Sequence, residues 1–393
     1  MFRSVLPVNR EVPSLDRRSF LFTAAAVSSS AALAACGPEE DQTQQQTLDA
    51  GTPDQPGQAA SANRGLREWR LVTTWPKNFP GLGTGAQRLA DNITVASEGR
   101  LSVKLFAAGE LVPAFESFDA VREGKVHLSH SAANYWISKH RSAPFFASVP
   151  GGLVAQEQNA WIYHGGGQEL WDELYAEFGL KAFLAGNTGT QMGGWFQKEI
   201  NSVDDFQGLK MRIPGLGAEV INRLGATAVN LPGGEIMPAL QSGVIDATEW
   251  VGPWNDLAFG FYKITRNYYG PGFHEPGSAI ELVVNRAAWE DLEADLQAVV
   301  ADAAAATSVR MLAEFTAANI QSQRVLTDEH GVVLRPFPAD VFKEMMRHSD
   351  DVVRETAREG DLARRIFESW ERFRTEARAR NPYAEQGYLQ LRG

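Results

Sequence analysis

Two stretches of the chain repeat the same local pattern, and this repeat constrains the fold more than any other feature. Residues 120–127 (AVREGKVH) and 239–246 (ALQSGVID) each read as a helix end, a glycine and a short apolar strand. Glycine suits the position after a helix because it adopts positive φ without steric cost. Polar and aromatic residues follow each strand, at 131–136 (SAANYW) and 249–254 (EWVGPW). The repeat predicts two lobes whose strand ends meet at one site, where open α/β sheets bind ligands; chance similarity is the alternative.

Strand-like and helix-like segments alternate from Trp69 onwards. Residues 68–75 (EWRLVTTW) predict a strand, 83–99 a helix and 100–109 a second strand. Such alternation is typical of an α/β fold with mostly parallel strands, and 393 residues are enough for two lobes. Neither glycine nor proline occurs between Ser278 and His330. We therefore expect an unusually long, alanine-rich helix, with the C-terminal helices beginning at about residue 287, that braces both lobes.

The first 36 residues resemble an export signal. Arg17 and Arg18 precede an apolar, alanine-rich stretch that ends in Leu33-Ala34-Ala35-Cys36. Paired arginines followed by a lipobox are typical of a bacterial lipoprotein, whose cysteine is lipidated and becomes the new N-terminus; a buried amphipathic helix is the alternative. Residues 37–65 are rich in Gln, Pro, Gly, Asp and Ser and predict a flexible tether. The functional body, residues 66–393, would then be held at a membrane surface outside the cytoplasm.

Charge and motif content argue against several functions. The formal net charge is −11 and no basic run occurs, so we expect no nucleic-acid binding. Residues 164–167 (HGGG) are similar to an oxyanion loop, but the chain contains no G-x-S-x-G nucleophile elbow. His127 and His130 would point to opposite faces of a strand, which argues against a zinc site. Cys36 is the only cysteine of the sequence, so no intrachain disulfide can form.

Polar and aromatic residues at the ends of predicted strands form the candidate site: Tyr135, Asn187, Gln191, Arg212, Glu249 and Trp250. Arg212 ends a short strand in LKMRIPG, where the following Pro-Gly turn fixes its position. A guanidinium placed in this way can hold a carboxylate through two parallel hydrogen bonds. A surface salt bridge of Arg212 is the alternative.

Glu249 lies in an aromatic segment, where a carboxylate needs a compensating cation. Arg212 could supply that charge directly. Alternatively, a metal ion could lie between Glu249, the carboxamide oxygen of Gln191 and a backbone carbonyl oxygen. Ligation by oxygen alone suits Na⁺ or Ca²⁺ better than zinc.

Four segments carry a resemblance to a known family: 86–111 (AQRLADNITVASEGRLSVKLFAAGEL), 209–215 (LKMRIPG), 231–250 (LPGGEIMPALQSGVIDATEW) and 268–277 (YYGPGFHEPG). The chain resembles the DctP-family substrate-binding proteins of tripartite ATP-independent periplasmic (TRAP) transporters, and among them the branch that binds 2-oxo acids and lactate. The similarity extends from about Trp69 to the C-terminal helices. It implies a periplasmic-binding-protein-like fold, in which two α/β lobes spanned by a long helix close on a small organic acid.

The resemblance also implies roles for individual residues. Arg212 would hold the ligand carboxylate, and a metal ion would be bound by the Gln191 side chain, the Glu249 carboxylate and the main-chain carbonyl of Trp250. Three further residues match positions expected in the cleft: Tyr135, Asn187 and Glu275. Trp250 and Trp254 would wall the pocket and limit the size of the ligand.

Partners follow from the same resemblance. The ligand would be delivered to TRAP membrane subunits, and related members dimerise by exchanging a C-terminal helix. An apolar stripe at helical spacing fits such an exchange: Leu362, Ile366, Trp370 and Phe373. From the residues alone we expect this stripe to pack on the body of its own chain, and contact with a partner subunit is the alternative. Gly151 and Gly152 stand where relatives tend to carry a bulkier residue, which is expected to widen the cleft.

The sequence therefore predicts an extracytoplasmic receptor for a pyruvate-like or lactate-like monocarboxylate rather than an enzyme. The rival from another class is a metal-dependent enzyme acting on oxo acids, such as a decarboxylase or aldolase, for which His274 beside Glu275 could serve as an acid–base partner. A binding lipoprotein for other organic acids or sugar acids, used for uptake or for sensing, is a further alternative.

Overall fold

The computed structural model describes residues 66–392. The predicted export signal 1–36, its lipidation site Cys36 and the predicted tether 37–65 lie outside these residues. The described strands are β1 (Arg67–Thr73), β2 (Leu101–Phe106), β3 (Leu128–Ser131), β4 (Leu180–Asn187), β5 (Gly194–Phe196), β6 (Lys210–Arg212), β7 (Thr227–Val229), β8 (Ala247–Thr248), β9 (Asn267–Tyr269), β10 (Ala279–Asn285) and β11 (Val333–Arg335). The described α-helices are α1 (Leu82–Ala96), α2 (Ser117–Arg122), α3 (Ala155–His164), α4 (Gly167–Ala176), α5 (Gly215–Arg223), α6 (Gly233–Gln241), α7 (Pro253–Phe259), α8 (Arg286–Glu290), α9 (Ala294–Arg324), α10 (Ala339–Glu355), α11 (Asp361–Arg380) and α12 (Glu385–Leu391).

The described strands form two sheets, which define lobe 1 and lobe 2. The sheet of lobe 1 has the order β2-β1-β3-β10-β4, and its strands are parallel except for β10, which is antiparallel to both neighbours. The sheet of lobe 2 has the order β11-β9-β5-β8-β6-β7, in which β5 is the strand antiparallel to both neighbours. Mixed sheets flanked by helices confirm the predicted two-lobed α/β fold.

The repeated helix–glycine–strand pattern is present in the structure. Gly124 and Gly243, the glycines of the two copies, have φ angles of 71° and 72°. In each copy the next amide donates to the carbonyl oxygen five residues earlier, at 2.9 Å for Lys125 and 3.0 Å for Val244, as in a Schellman cap. The strand that follows is β3 of lobe 1 in one copy and β8 of lobe 2 in the other. The prediction that each lobe contributes one such strand end is confirmed.

Two crossovers carry the chain between the lobes, residues 188–193 after β4 and residues 270–278 before β10, and α9 is a third connection that leads from lobe 1 to β11 of lobe 2. The antiparallel strands β5 and β10 directly follow the two crossovers. Backbone hydrogen bonds join the crossovers to each other. The Thr188 amide donates to the carbonyl oxygen of Ser278 at 3.0 Å. The Gln191 amide donates to the carbonyl oxygen of Glu275 at 3.1 Å, and the Gly272 amide to the carbonyl oxygen of Gln191 at 2.8 Å.

The long helix is interrupted near its start. α8 ends at Glu290 and α9 begins at Ala294, although neither glycine nor proline separates them. Leu292 is buried between the two helices, and Glu293 has an extended ψ of 146°. Burying Leu292 in the core of lobe 1 therefore turns the chain, which residue composition alone does not indicate.

α9 packs against both lobes, as predicted. Leu296 and Val300 belong to the apolar core of lobe 1, whereas Phe315 packs edge-on against Trp254 of α7 in lobe 2, with ring centroids 5.2 Å apart. By length and composition alone, Ala294–Glu329 could cross a membrane, a test that core helices also pass. Its contacts with two lobes identify it as the helix that joins them.

The C-terminal apolar stripe packs on the body of its own chain. Ile366 and Trp370 of α11 are fully buried, and the Trp370 ring lies edge-on to Phe145 with centroids 5.3 Å apart. The Trp161 indole also donates a hydrogen bond of 3.3 Å to Ser369 of the same helix. The expected packing of this stripe on the body of its own chain is the arrangement seen within residues 66–392.

Candidate ligand-binding site

A cavity lies where the two crossovers meet the strand ends of both lobes. It contains about 290 Å³ of space free of protein atoms, part of it open to solvent. The following predicted residues line it: Tyr135, Gln191, Arg212, Trp250 and Glu275. The structure thus brings together residues that are up to 140 positions apart in sequence. Both lobes and both crossovers contribute to the lining.

Arg212 is held at the base of the cavity with one side of its guanidinium unpaired. It is the last residue of β6, and its side chain is 1% exposed, which excludes the surface salt bridge that was the alternative. Its Nε atom donates to the Leu231 carbonyl at 3.0 Å, and its Nη1 atom to the Glu249 carbonyl at 3.2 Å and to the Glu249 carboxylate. Nη2 is buried and has no hydrogen-bond partner among residues 66–392. An anion in the cavity is the natural acceptor for this N–H group.

Glu249 lies behind Arg212 and is paired on both carboxylate oxygens. Oε1 accepts from Arg212, and Oε2 lies 3.1 Å from Nε2 of His274. Burial lowers the pKa of His274, but the hydrogen bond and negative charge of Glu249 outweigh burial and raise the pKa above its usual value. The three side chains form a buried charge network, in which each carboxylate oxygen of Glu249 has one partner.

Trp250 forms one wall of the cavity. The guanidinium carbon of Arg212 lies 5.1 Å from the centre of the Trp250 ring, which is a cation–π contact. The Trp75 ring packs edge-on against the Trp250 ring, with centroids 6.2 Å apart. The indole Nε1 of Trp250 is buried and finds no partner within the described chain. Trp254, expected as a second wall, instead packs against Phe315 of α9. That expectation is wrong because α7 directs the ring toward the long helix.

Glu275 joins two carboxamide side chains. Its Oε1 accepts from Nδ2 of Asn134 at 2.6 Å and its Oε2 accepts from Nε2 of Gln191 at 2.8 Å. Burial, followed by the charge of Glu249, raises the pKa of Glu275. Gln191 Oε1 and Asn134 Oδ1 are buried without a partner among the described residues. The cavity lining therefore contains two unpaired amide oxygens.

Tyr135 and Asn187 have different positions relative to the cavity. Tyr135 lines it and packs against Phe115, and burial raises the pKa of its phenol. Asn187, at the end of β4, accepts a 2.8 Å hydrogen bond from the Gly189 amide and donates a 3.4 Å bond to Asn159. Its side chain thus stabilises the first turn of a crossover, and a contact of Asn187 with ligand stays a prediction.

Four polar or aromatic lining residues were missed from the sequence: Trp75, Asn134, Thr188 and Ser278. Asn134 lies within SAANYW, so its place after a repeated strand end was the signal that could have found it. Thr188 and Ser278 face each other across the two crossovers, a pairing that only the folded chain reveals.

Gly151 and Gly152 do not widen the cleft. A Cβ atom at Gly151 would lie 2.8 Å from the Met346 side chain, and one at Gly152 would lie 2.6 Å from the Val149 carbonyl oxygen. Gly151 therefore permits close packing against α10, Gly152 permits a close approach to Val149 and to Trp370 of α11, and neither glycine lines the cavity. The expectation that they enlarge the ligand site is wrong.

The donor atoms in this region fit a hard cation. Within residues 66–392 there is no cluster of three or more His, Cys, Asp or Glu side chains suited to a metal. The Gln191 carboxamide offers a buried oxygen that has no partner in the described chain, and Glu249 and the Trp250 carbonyl belong to the adjoining segment. Amide, carboxylate and carbonyl oxygens suit Na⁺ or Ca²⁺. These three residues could hold such an ion.

Comparison with known proteins places the chain among binding proteins. The model of the family "Bacterial extracellular solute-binding protein, family 7" (DctP) matches residues 71–359. A relative from Nostoc sp., a monocarboxylate 2-oxoacid-binding periplasmic protein, is 39% identical over 375 residues. That alignment covers 95% of this chain and 98% of the Nostoc protein.

Two solved structures of TRAP periplasmic solute-binding proteins resemble the chain closely. The protein from Pseudoalteromonas atlantica, with bound sodium and pyruvate, is 39% identical with a TM-score of 0.80, covering 83% of this chain and 99% of its own. The protein from Colwellia psychrerythraea, with bound calcium and pyruvate, is 38% identical with a TM-score of 0.81, covering 83% of this chain and 100% of its own.

Proposed function

Because the chain belongs to the bacterial extracellular solute-binding proteins of family 7, the DctP family, we propose that it is the receptor of a TRAP transporter for a small 2-oxo or 2-hydroxy monocarboxylate. The observation that carries this proposal is Arg212 Nη2, a buried donor at the cavity with no partner among residues 66–392. A carboxylate would satisfy it through a charge-assisted hydrogen bond. Pyruvate-like acids are the first candidates for the ligand because the Nostoc relative is a 2-oxoacid-binding protein and both solved structures hold pyruvate.

A cation is part of the proposed site. Gln191 through Oε1, Glu249 through its carboxylate and Trp250 through its carbonyl oxygen would hold Na⁺ or Ca²⁺, the ions bound by the two solved relatives. When bound, the ion would supply positive charge for the carboxylate and the 2-oxo or 2-hydroxy oxygen of the ligand. Arg212 would bind the same carboxylate from the lobe 2 side, and Trp250 would limit the length of the ligand.

Binding and delivery, rather than catalysis, are the activity of this family. The rival reading as a metal-dependent enzyme rested on His274 as an acid–base partner. In the structure His274 is 1% exposed and its Nε2 is paired with Glu249, so its position suits the support of Arg212 rather than proton exchange with a ligand. The membrane subunits of the transporter are the partners to which the ligand would be delivered.

A thermal-shift screen of the purified protein, stripped of ligand and metal, tests the proposed function. Pyruvate, longer 2-oxo acids, lactate, dicarboxylates and sugar acids are each added with chelator, with Na⁺ and with Ca²⁺. A ligand that binds only the folded state raises the melting temperature by mass action. We expect shifts with the 2-oxo and 2-hydroxy monocarboxylates that require a cation. Shifts confined to sugar acids or dicarboxylates would contradict the ligand class, and shifts indifferent to cation would contradict the metal site.

The N-terminal segment is proposed to tether the receptor to a membrane. The order of paired arginines, apolar stretch and Cys36 supports cleavage before Cys36, its lipidation, and residues 37–65 as the tether. Mass spectrometry of the mature N-terminus and membrane fractionation check this. Cys36→Ser should move the protein to the aqueous fraction. Retention of that variant in the membrane fraction would contradict the lipid anchor.

A homodimer through the C-terminal helices is a further part of the proposal. α12 leaves large apolar side chains uncovered in the described chain: Tyr388 is 65% exposed and Leu391 is 90% exposed. Exchange of the C-terminal helices between two copies would cover these side chains. Deletion of residues 384–393 should convert dimers to monomers in sedimentation velocity. A dimer that survives the deletion, or a monomeric parent protein, would contradict this interface.

A further inference from the structure

Glu275 accepts hydrogen bonds from the side chains of Asn134 and Gln191. Each of its carboxylate oxygens accepts one hydrogen bond from an amide group, 2.6 Å from Nδ2 of Asn134 and 2.8 Å from Nε2 of Gln191. An ionised carboxylate is an acceptor only, so the NH₂ end of each carboxamide must face it. The carbonyl ends must then point away, and both Asn134 Oδ1 and Gln191 Oε1 are buried without partners in the described part of the chain.

The three residues come from separate parts of the fold. Asn134 lies in the turn after β3 of lobe 1, Gln191 lies in the first crossover and Glu275 in the second. Backbone bonds fix the two crossovers together, because the Gln191 amide donates to the Glu275 carbonyl at 3.1 Å. Glu275 is 6% exposed, so water competes weakly for its oxygens. Its two charge-assisted bonds orient both side chains, and Nε2 of Gln191 also donates to the Thr188 hydroxyl at 3.1 Å, which favours the same orientation.

We propose that Glu275 is a positioning residue rather than a ligand contact: it orients Asn134 and Gln191 so that two amide oxygens face the cavity. The inference rests on the proposed function in one respect, because the Gln191 oxygen is the one assigned to the cation. Asn134 thereby becomes a further residue of the site, presenting a neutral acceptor from lobe 1. The two oxygens act as a pair because a single carboxylate sets both.

Replacing Glu275 by glutamine separates this role from a merely structural one. A glutamine side chain keeps the size of Glu275 but offers one acceptor and one NH₂ group. Either Asn134 or Gln191 must then reverse its carboxamide, or lose its hydrogen bond. Adding Asn134→Asp to Glu275→Gln restores both hydrogen bonds. The carboxylate at position 134 then accepts from the NH₂ group at position 275, and the side-chain oxygen at position 275 accepts from Nε2 of Gln191. The double variant has the same net charge as the parent protein.

Side-chain amide NMR of the ligand-free, metal-free protein is the primary test, with the signals assigned through Asn134→Asp and Gln191→Glu. We expect the NH₂ signals of Asn134, of Gln191 or of both to move in Glu275→Gln, and the Gln191 signals to lie at their parent position in the Glu275→Gln/Asn134→Asp protein. If the signals of Asn134 and of Gln191 are both unchanged in Glu275→Gln, the proposal is overturned. Glu376→Gln, on the exposed face of α11, is the control for removing a carboxylate elsewhere.

Calorimetry with pyruvate and Ca²⁺ gives the functional readout. Supporting groups of a metal ligand typically change affinity 10- to 100-fold, so Glu275→Gln should weaken Ca²⁺-dependent binding by about that factor. The double variant should recover most of the loss. Equal affinity of Glu275→Gln and parent overturns the positioning role. If the parent itself does not bind pyruvate while the NMR signals behave as expected, the proposed function fails and the positioning role stands.

Discussion

Nη1 of Arg212 donates to the Glu249 carboxylate, and both side chains of this ion pair are 1% exposed. On the opposite side of the same carboxylate, Nε2 of His274 lies 3.1 Å from Oε2 of Glu249. Glu249 therefore compensates the guanidinium on one edge and leaves Nη2 of Arg212 for the cavity. In the proposed receptor, anion binding would therefore depend on this protein carboxylate as well as on the arginine.

Arg212→Ala should abolish binding of every carboxylate and also destabilise the protein. Removing one partner of a buried ion pair leaves the other charge uncompensated, at a cost of roughly 3–5 kcal/mol. Calorimetry with pyruvate and urea unfolding measure the two effects. Arg212→Lys keeps the charge but loses the forked geometry, so it should recover more stability than affinity. Wild-type affinity in Arg212→Ala would show that the ligand is held elsewhere.

Glu249→Gln should weaken both ligand binding and its dependence on added cation. The substitution keeps the size of the side chain but removes a negative charge that both Arg212 and the proposed metal ion require. Titrations of pyruvate with chelator, Na⁺ and Ca²⁺ separate the two effects. If affinity falls while the ratio of affinities with and without cation is unchanged, Glu249 supports Arg212 alone and is no metal ligand.

Glu281 is a second buried carboxyl group, in the core of lobe 1. Trp136 Nε1 and the Tyr175 hydroxyl donate to its oxygens at 2.5 and 2.7 Å. Burial raises the pKa of Glu281 from 4.5 to about 7, because these two hydrogen bonds offset only part of the lost hydration. Trp136 directly follows Tyr135, so this carboxyl group also anchors a segment that lines the cavity.

Glu281→Gln should change how stability depends on pH. Between pH 4.5 and about 7 the folded protein keeps the Glu281 proton that the unfolded chain releases, so the free energy of unfolding falls as pH rises. The variant lacks this titration. Its free energy of unfolding relative to the parent should therefore rise by roughly 2–3 kcal/mol from pH 5 to pH 8. Urea unfolding at both pH values measures this, and a constant difference would contradict the raised pKa of Glu281.

Gly233→Ala should impair ligand binding through Trp250, whereas Gly234→Ala should not. A Cβ atom at Gly233 would lie 2.7 Å from the Trp250 ring, but one at Gly234 would have no described atom within 4 Å. Overpacking at the first position must displace the indole, at a cost of roughly 1–3 kcal/mol. Calorimetry and tryptophan fluorescence of both variants check this. Equal effects at the two positions would indicate a helix-propensity effect on α6 instead.

Local signals in the sequence predicted the parts of the site that local structure determines. Gly124 and Gly243 indicated the two helix ends correctly because positive φ after a helix is a local requirement. Arg212 was identified because a strand, a Pro-Gly turn and a charged residue are adjacent in the sequence. The interruption before α9 was not predicted, since its cause is the burial of Leu292 in a core formed by distant elements.

The hydrogen-bonded groups around Glu275 could not be predicted from spacing. Asn134 is 141 residues from Glu275, and Gln191 is 84 residues from it. Trp254 was misplaced for a related reason: the sequence shows that it follows Trp250 closely but not that α7 turns its ring toward α9. Side-chain direction in such segments depends on tertiary packing, which hydrophobic periodicity does not report.

The hydrogen-bonded crossovers have a consequence for the entropy of ligand capture. Residues 188–193 and 270–278 are joined by three backbone bonds and by the Gln191–Glu275 side-chain bond. If the proposed receptor closes by a rotation of its lobes, the hydrogen bonds between these segments keep their mutual geometry. The part of the site contributed by the crossovers is thus preorganised before the ligand arrives. The crossovers therefore lose little conformational freedom when the ligand binds. The entropic cost of closure arises instead from the side chains that the two lobes contribute to the site.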